Sequence, residues 1–216
     1  ALPIFSQNGC PSYSRIGELD DMEQVLNGIL GRIEKIHETT IPLLIAIDGR
    51  CGSGKTTLGE ALAKRLHASL IHMDDFYLRM EQRTEARFQE PGGNVDYERF
   101  FTDVIQPLQR NKDFSYRPFD CRIWDLGTPV TVKATPITVI EGSYACHPSL
   151  FKYYDLRIFL TVDKEEQMRR ILKRNGPEKA EMFRNRWIPL EEHYFSSFEP
   201  EDRCQLVFDT THTKQI

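Results

Sequence analysis

One nine-residue stretch carries residue types suited to holding a polyphosphate. Gly49, Arg50, Cys51, Gly52, Ser53, Gly54, Lys55, Thr56 and Thr57 contain the spacing G-x-x-x-x-G-K-T. Glycines let a backbone curl until several amide N–H groups converge on phosphate oxygens, and the following helix adds the partial positive charge of its N-terminus. Lys55 would then reach the β- and γ-phosphates, and the Thr56 hydroxyl would ligate Mg2+. The expected cofactors are therefore ATP, or GTP, with magnesium. The spacing gains weight from its setting, because the apolar run 43–47 precedes it and a helical pattern follows. Cys51 adds a thiol inside the loop, which ATP would shield from thiol reagents if the side chain were accessible.

Acidic groups stand at the ends of two other apolar runs. ITVI (137–140) ends in Glu141 and Gly142, where a carboxylate can hold Mg2+ through water and a glycine permits close backbone approach. SLIHM (69–73) ends in Asp74 and Asp75, followed by Phe76, Tyr77 and Arg79. Ligands of open α/β sheets sit at such strand ends. Paired acids there supply a general base for an attacking hydroxyl and a second group for metal-bound water or substrate hydroxyls. Asn111-Lys112-Asp113 places its acid one residue early for a guanine-reading N-K-x-D, which argues against a switch GTPase. Farther on, Arg169, Arg170, Lys173 and Arg174 occupy about two helical turns before Gly176 and Pro177, and Arg184 and Arg186 follow. Arginines delivered by a closing segment can neutralise a migrating phosphoryl group while excluding water.

The elements that must position these groups are visible as alternation along the chain. Short apolar runs at 43–47, 69–73, 137–140, 156–160 and 205–208 read as strands, and helical patterns fall at 57–67, 97–110 and 164–174. Strands alternating with helices predict right-handed crossovers and an α/β fold, with a five-stranded parallel sheet flanked by helices. Met22, Val25, Leu26, Ile29, Leu30, Ile33 and Ile36 give residues 19–38 an amphipathic helix that packs on the sheet. Residues 1–18 read as a loosely ordered arm, and 19–216 as one domain with a lid over about 170–190.

Composition bounds the partners. With 216 residues, 28% charged side chains and a net charge of -4, the chain has ordinary globular usage and no massed basic face for nucleic acid. It has no long apolar run for a membrane. Five cysteines without a CxxC pair indicate neither a zinc site nor a disulfide framework, and suggest a reducing cytoplasm.

GRCGSGKTT, MDDFY, VIEG and QMRRILKRNG occur here in the order seen in the uridine kinase and phosphoribulokinase-like P-loop kinases, relatives of pantothenate and nicotinamide riboside kinases. The chain resembles that family over roughly residues 43–210 in architecture, with close motif identity confined to those four patches. The resemblance implies a three-layer P-loop NTPase fold with an arginine-bearing lid, and a kinase that passes the γ-phosphoryl group to a hydroxyl, most closely a uridine kinase-like nucleoside kinase. In the family the acid of D-x-F-Y takes the proton from the sugar hydroxyl, and Asp74 occupies that place. Asp96 stands where the family has a substrate-binding acid, although Tyr97-Glu98 replaces the usual His-Pro, and Tyr116 and Arg122 fall in the segment of its Tyr-rich loop. With Asp75, Tyr77 and Arg79 they form the expected acceptor side, while Arg170 and Arg174 are the expected lid arginines and Arg169 competes. The expected partners are a nucleoside triphosphate and a small hydroxyl-bearing substrate, with a homo-oligomer left open. The alternatives are a kinase of another metabolite, such as pantothenate or a vitamin riboside, and an ATPase or nucleotide switch acting through a protein partner.

Overall fold

The strand Leu43–Gly49 is buried along its whole length, and its side chains alternate between two apolar clusters. Leu43, Ile45 and Ile47 enter one, Leu44 and Ala46 the other. A strand in that position needs a sheet covered on both faces, which is the arrangement of three layers.

The computed structural model describes residues 14–16, 22–37 and 42–213. In chain order the first half holds β1 (Ser14–Ile16), α1 (Met22–His37), β2 (Leu43–Gly49), α2 (Lys55–Leu66), β3 (Ser69–His72) and α3 (Glu85–Gln89). Next come α4 (Tyr97–Phe100), a π-turn (Phe101–Ile105) and α5 (Gln106–Gln109), then four short strands: β4 (Phe114–Tyr116), β5 (Phe119–Asp120), β6 (Asp125–Leu126) and β7 (Val130–Val132). The remainder is β8 (Ile137–Glu141), α6 (Pro148–Phe151), β9 (Leu156–Thr161), α7 (Lys164–Asn175), α8 (Pro177–Met182), a second π-turn (Phe183–Trp187), α9 (Ile188–Phe198), α10 (Pro200–Arg203) and β10 (Leu206–Asp209).

The main sheet is parallel, in the order β1-β10-β9-β2-β8-β3. Five of its six strands are the five apolar runs, with β3 at one edge. The sixth, β1, comes from the stretch expected to be a loose arm, and the rest of that arm lies outside the described residues. One face is covered by α1 and α2 through Met22, Val25, Ile29, Leu58 and Leu62. The other face holds Phe76, Phe100, Tyr116, Tyr144, Phe159 and Tyr194. Between α5 and β8 the chain makes an excursion of two antiparallel ladders, β4–β7 and β5–β6. The predicted lid is a run of helices, with α7 stopped at Gly176 (φ 78°) and Pro177 opening α8. No helix among the described residues is long and apolar enough to cross a membrane.

Candidate active site

The phosphate loop leaves β2 at Gly49, whose φ of 139° and close approach exclude a side chain: a Cβ there would lie 2.0 Å from the Leu160 carbonyl oxygen. The loop closes with the Ser53 N–H donating to the Arg50 carbonyl at 3.1 Å, and Gly54, left-handed at φ 96°, caps α2. Lys55 is buried and folds back, its Nζ donating to the carbonyls of Gly49 at 2.8 Å and Arg50 at 2.9 Å. The first-turn amides of α2 have no partner within the helix, and a helix N-terminus of this kind is suited to receiving phosphate oxygens.

Glu141 ends β8 fully inside the protein and accepts the Thr56 hydroxyl at 3.1 Å. The two residues expected to share magnesium are therefore in contact. His72, which carried no sequence signal, meets the other Glu141 oxygen through Nδ1 at 2.5 Å, and that bond raises its pKa.

Asp74 follows β3 on a 3-10 turn, Met73–Phe76. It is exposed to solvent although protein surrounds it on most sides, the situation of a cleft floor. That crowding raises its carboxyl pKa above the ordinary range, and Glu141 and Glu191 add to the rise. Lys55 and the Tyr77 hydroxyl, which bonds Asp74, act against it. Lys55, Glu141 and Asp74 thus share one electrostatic neighbourhood, and Asp75 does not take the same role. Its Oδ2 accepts the Tyr116 hydroxyl at 2.6 Å, and its carbonyl accepts from Arg99 at 2.9 Å.

The remaining acceptor-side residues are used in the framework. Asp96 is 2% exposed and caps α4, accepting the Arg99 amide at 3.0 Å and the Gln82 side chain at 2.8 Å. Arg79 binds the Gln82 oxygen through its backbone N–H at 3.0 Å and pairs with Glu81. Arg122 sits at the exposed turn between β5 and β6, paired with Asp120 at 2.5 Å and not gathered with the others. Tyr97 and Glu98, which stand in place of His-Pro, also belong to the scaffold. Tyr97 stacks on His147 at 4.2 Å, and Glu98 pairs with Arg87 at 2.7 Å.

The two lid arginines part company. Arg170 is buried, and its guanidinium donates to Glu166, to the Gly52 carbonyl at 3.2 Å and to the Thr210 carbonyl at 2.5 Å. Its donors brace the back of the phosphate loop. Arg174 is exposed, hydrogen-bonded among the described residues to Asn175 at 2.8 Å, and near enough to the loop for its charge to act on Cys51. Arg169 pairs with Glu166 on the surface. Cys51 itself is buried and burial pushes its thiol pKa up, so the expected reactivity toward thiol reagents is not supported by its surroundings.

Besides His72, further neighbours of the loop and cleft escaped the sequence reading. Asp48 is fully buried and accepts four hydrogen bonds, from the amides of Gly49 (2.7 Å), Tyr144 (3.0 Å) and Cys146 (2.9 Å) and from the Tyr194 hydroxyl (2.8 Å). Glu191 on α9 accepts the Cys51 N–H at 3.0 Å and the Ser143 hydroxyl at 2.6 Å, and its neighbour Glu192 pairs with Arg50. Arg83 lies over the rings of Phe119 and Trp124. Only the acid ahead of the first glycine offered a local signal, as a polar residue ending an apolar strand.

The model of the cytidylate kinase-like family matches residues 44–186, which spans the phosphate loop, Asp74, Glu141 and the lid arginines but stops short of Glu191. Uridine kinase-like protein 4 of Arabidopsis thaliana is 26% identical over 148 residues, covering 64% of this chain and 31% of that protein. The chain thus spans less than a third of that relative's length. A uridine kinase of Leuconostoc citreum is 25% identical over 171 residues, 74% of this chain and 79% of that protein. Among solved structures, a possible uridine kinase from Bacillus stearothermophilus superposes with a TM-score of 0.62 at 22% identity, covering 84% of this chain and 100% of that one. At that identity the likeness concerns the fold.

Proposed function

The chain belongs to the cytidylate kinase-like family, and from that premise we propose that it is a kinase transferring the γ-phosphoryl group of ATP or GTP to the hydroxyl of a small metabolite. The observation that carries the proposal is the gathering of Lys55, the Thr56–Glu141 pair and Asp74 at the carboxyl ends of adjacent strands.

Thr56 and Glu141 offer two hard oxygen donors, and no cluster of three or more metal-binding side chains exists among the described residues. That sparse set fits magnesium, which keeps most of its shell as water and substrate phosphate. Once bound, the ion would neutralise charge on the β- and γ-phosphates. Lys55 would exchange its contacts with the loop carbonyls for phosphate oxygens, and Arg174 would approach from the lid. Asp74 would take the acceptor's hydroxyl proton, held toward it by Tyr77. Arg170 acts through the loop it braces, without touching phosphate.

A nucleoside is the acceptor class suggested by the names of the sequence relatives. The test is ADP release with Mg-ATP across nucleosides, vitamin precursors, hydroxy acids and sugar phosphates, each against a control lacking acceptor. Turnover that depends on one acceptor supports the kinase. Hydrolysis indifferent to every acceptor would favour a nucleotide switch and defeat it.

A further inference from the structure

Arginines around this cleft are generally matched by acids. Arg50 pairs with Glu192, Arg79 with Glu81, Arg87 with Glu98, Arg99 with Asp96, and Arg184 with Glu181. Arg83 and Arg186 break that pattern, as the lid's Arg174 also does, since among the described residues none of the three has a carboxylate within ion-pair distance. Arg83 makes one hydrogen bond, from Nε to the Leu78 carbonyl at 2.9 Å, and its guanidinium lies 5.4 Å from the Phe119 ring and 4.9 Å from that of Trp124. Arg186 lies 5.2 Å from the Phe88 ring and 4.9 Å from that of Trp187. It lines an open cleft with Phe88, Asn185, Pro189 and Leu190; Glu85 also borders this cleft but does not pair with it.

Three excursions from the sheet therefore converge: the segment after Asp74 brings Arg83, the β5–β6 ladder brings Trp124, and the lid brings Arg186. Arg83 immediately precedes Thr84, the N-cap of α3, and Arg186 lies over the Phe88 ring of that same short helix, which places the two guanidiniums in one neighbourhood. Burial first, and then the Arg186 charge, lower the Arg83 pKa, while Tyr77, the partner of Asp74, lies within electrostatic reach of Arg83. Aromatic faces hold a guanidinium plane in place without neutralising it. Like charges brought together without an acid are unfavourable until an anion joins them, and the donor fork of arginine suits phosphate and carboxylate.

We infer that Arg83 and Arg186 form an oxyanion-recognition pair at the mouth of the acceptor cleft, so that the alcohol phosphorylated beside Asp74 itself carries a phosphate or carboxylate group. This rests on the kinase reading and narrows its acceptor from a neutral nucleoside to a sugar phosphate, a nucleoside monophosphate or a hydroxy acid.

The chain has two tryptophans, Trp124 and Trp187, and each lies against one of the paired arginines, so intrinsic fluorescence reads the site directly. The full chain, with Mg2+ and a non-hydrolysable ATP analogue, is titrated with matched acceptors: ribose 5-phosphate against ribose, a nucleoside 5′-monophosphate against its nucleoside, and glycerate against glycerol. An anionic member should give a saturable change at least about 10-fold tighter than its neutral partner. Arg83→Gln and Arg186→Gln should each weaken it about 10-fold or more, and Arg184→Gln, the same charge loss on the same turn, should not. The phosphate and carboxylate arms distinguish the two groups. Equal affinity for neutral partners, an anion response untouched by both substitutions, or no response to any anionic member overturns the pair. Calorimetric titration of the ATP analogue runs alongside. Its failure to bind would sink the kinase reading, whereas normal binding without anion preference sinks only the pair. Near-UV circular dichroism checks folding, and the exposed Arg186 carries the test if the Arg83 variant misfolds.

Discussion

A base that takes a proton from an alcohol must be ionised, and the surroundings of Asp74 work against that charge. Because its pKa is raised, the carboxyl gains a proton at a higher pH than an ordinary aspartate. The kcat of a kinase built on it should therefore fall as pH drops, with a midpoint above the usual value of about 3.9. Asp74→Asn should lower kcat by about 1,000-fold while the dissociation constant for Mg-ATP stays within about threefold. An equal loss of both would remove Asp74 from the chemistry. His147 gives a second pH signature, this time in stability. Buried and stacked on Tyr97, it accepts the Ser149 N–H through Nδ1, and burial lowers its pKa to about 4. The unfolded chain, with a histidine pKa of about 6.5, takes up a proton that the folded chain refuses. Stability from this group is thus complete above that pH and is lost as pH falls toward the folded value. Between pH 7.5 and 5 the protein should lose about 2 kcal/mol more than its His147→Gln variant, as read by urea unfolding.

The helix that follows the lid has a second face turned inward. Through Glu191 it holds the Cys51 amide and the Ser143 hydroxyl, and through Glu192 it holds Arg50. Removing the first carboxylate leaves a buried N–H without a partner, a loss of about 1.5–3 kcal/mol. Glu191→Ala should accordingly raise the nucleotide KM about 10-fold. Glu191→Gln, whose amide oxygen can still accept from Cys51, should restore part of it. A nucleotide KM unchanged in the alanine variant would mean that α9 does not position the loop. Strands and long helices were legible because their signals are local: β2, β8 and β9 are short and mainly apolar, and α7 carries its Asp163 cap and its Gly176 stop within one short stretch. The ladders β4–β7 and β5–β6 were not, since strands of two or three residues leave too little alternation to read.

On the scale of the whole molecule, a ligand that binds only the folded state raises stability by mass action. Mg-ATP at about 100 times its dissociation constant should add about 2.7 kcal/mol, or roughly 5–10 °C in Tm for a chain of this size. Lys55→Ala should abolish that shift, and a variant that kept it would refute the loop's role. Which residues were legible follows the same long-range logic. Lys55, Thr56, Asp74 and Glu141 stand at fixed offsets from a strand end, so spacing could point to them as candidates. Glu191 meets Cys51 from 140 positions away and Asp48 meets Cys146 from 98, and no local pattern encodes such meetings. Arg170 shows the converse: spacing placed it by the loop, but only packing shows that its donors are occupied by Gly52 and Thr210 carbonyls.

The fourfold grip of Asp48 also has a temporal consequence. One carboxylate fastens the amides of Gly49, Tyr144 and Cys146, from the phosphate loop and from the turn after β8, with Tyr194 of α9 as the fourth donor. Deuterium should enter these three amides together and last, on the timescale of global opening, while the surface of the lid exchanges early. The part that grips would then be a clock with two hands, a fast one on the lid and a nearly stationary one beneath it.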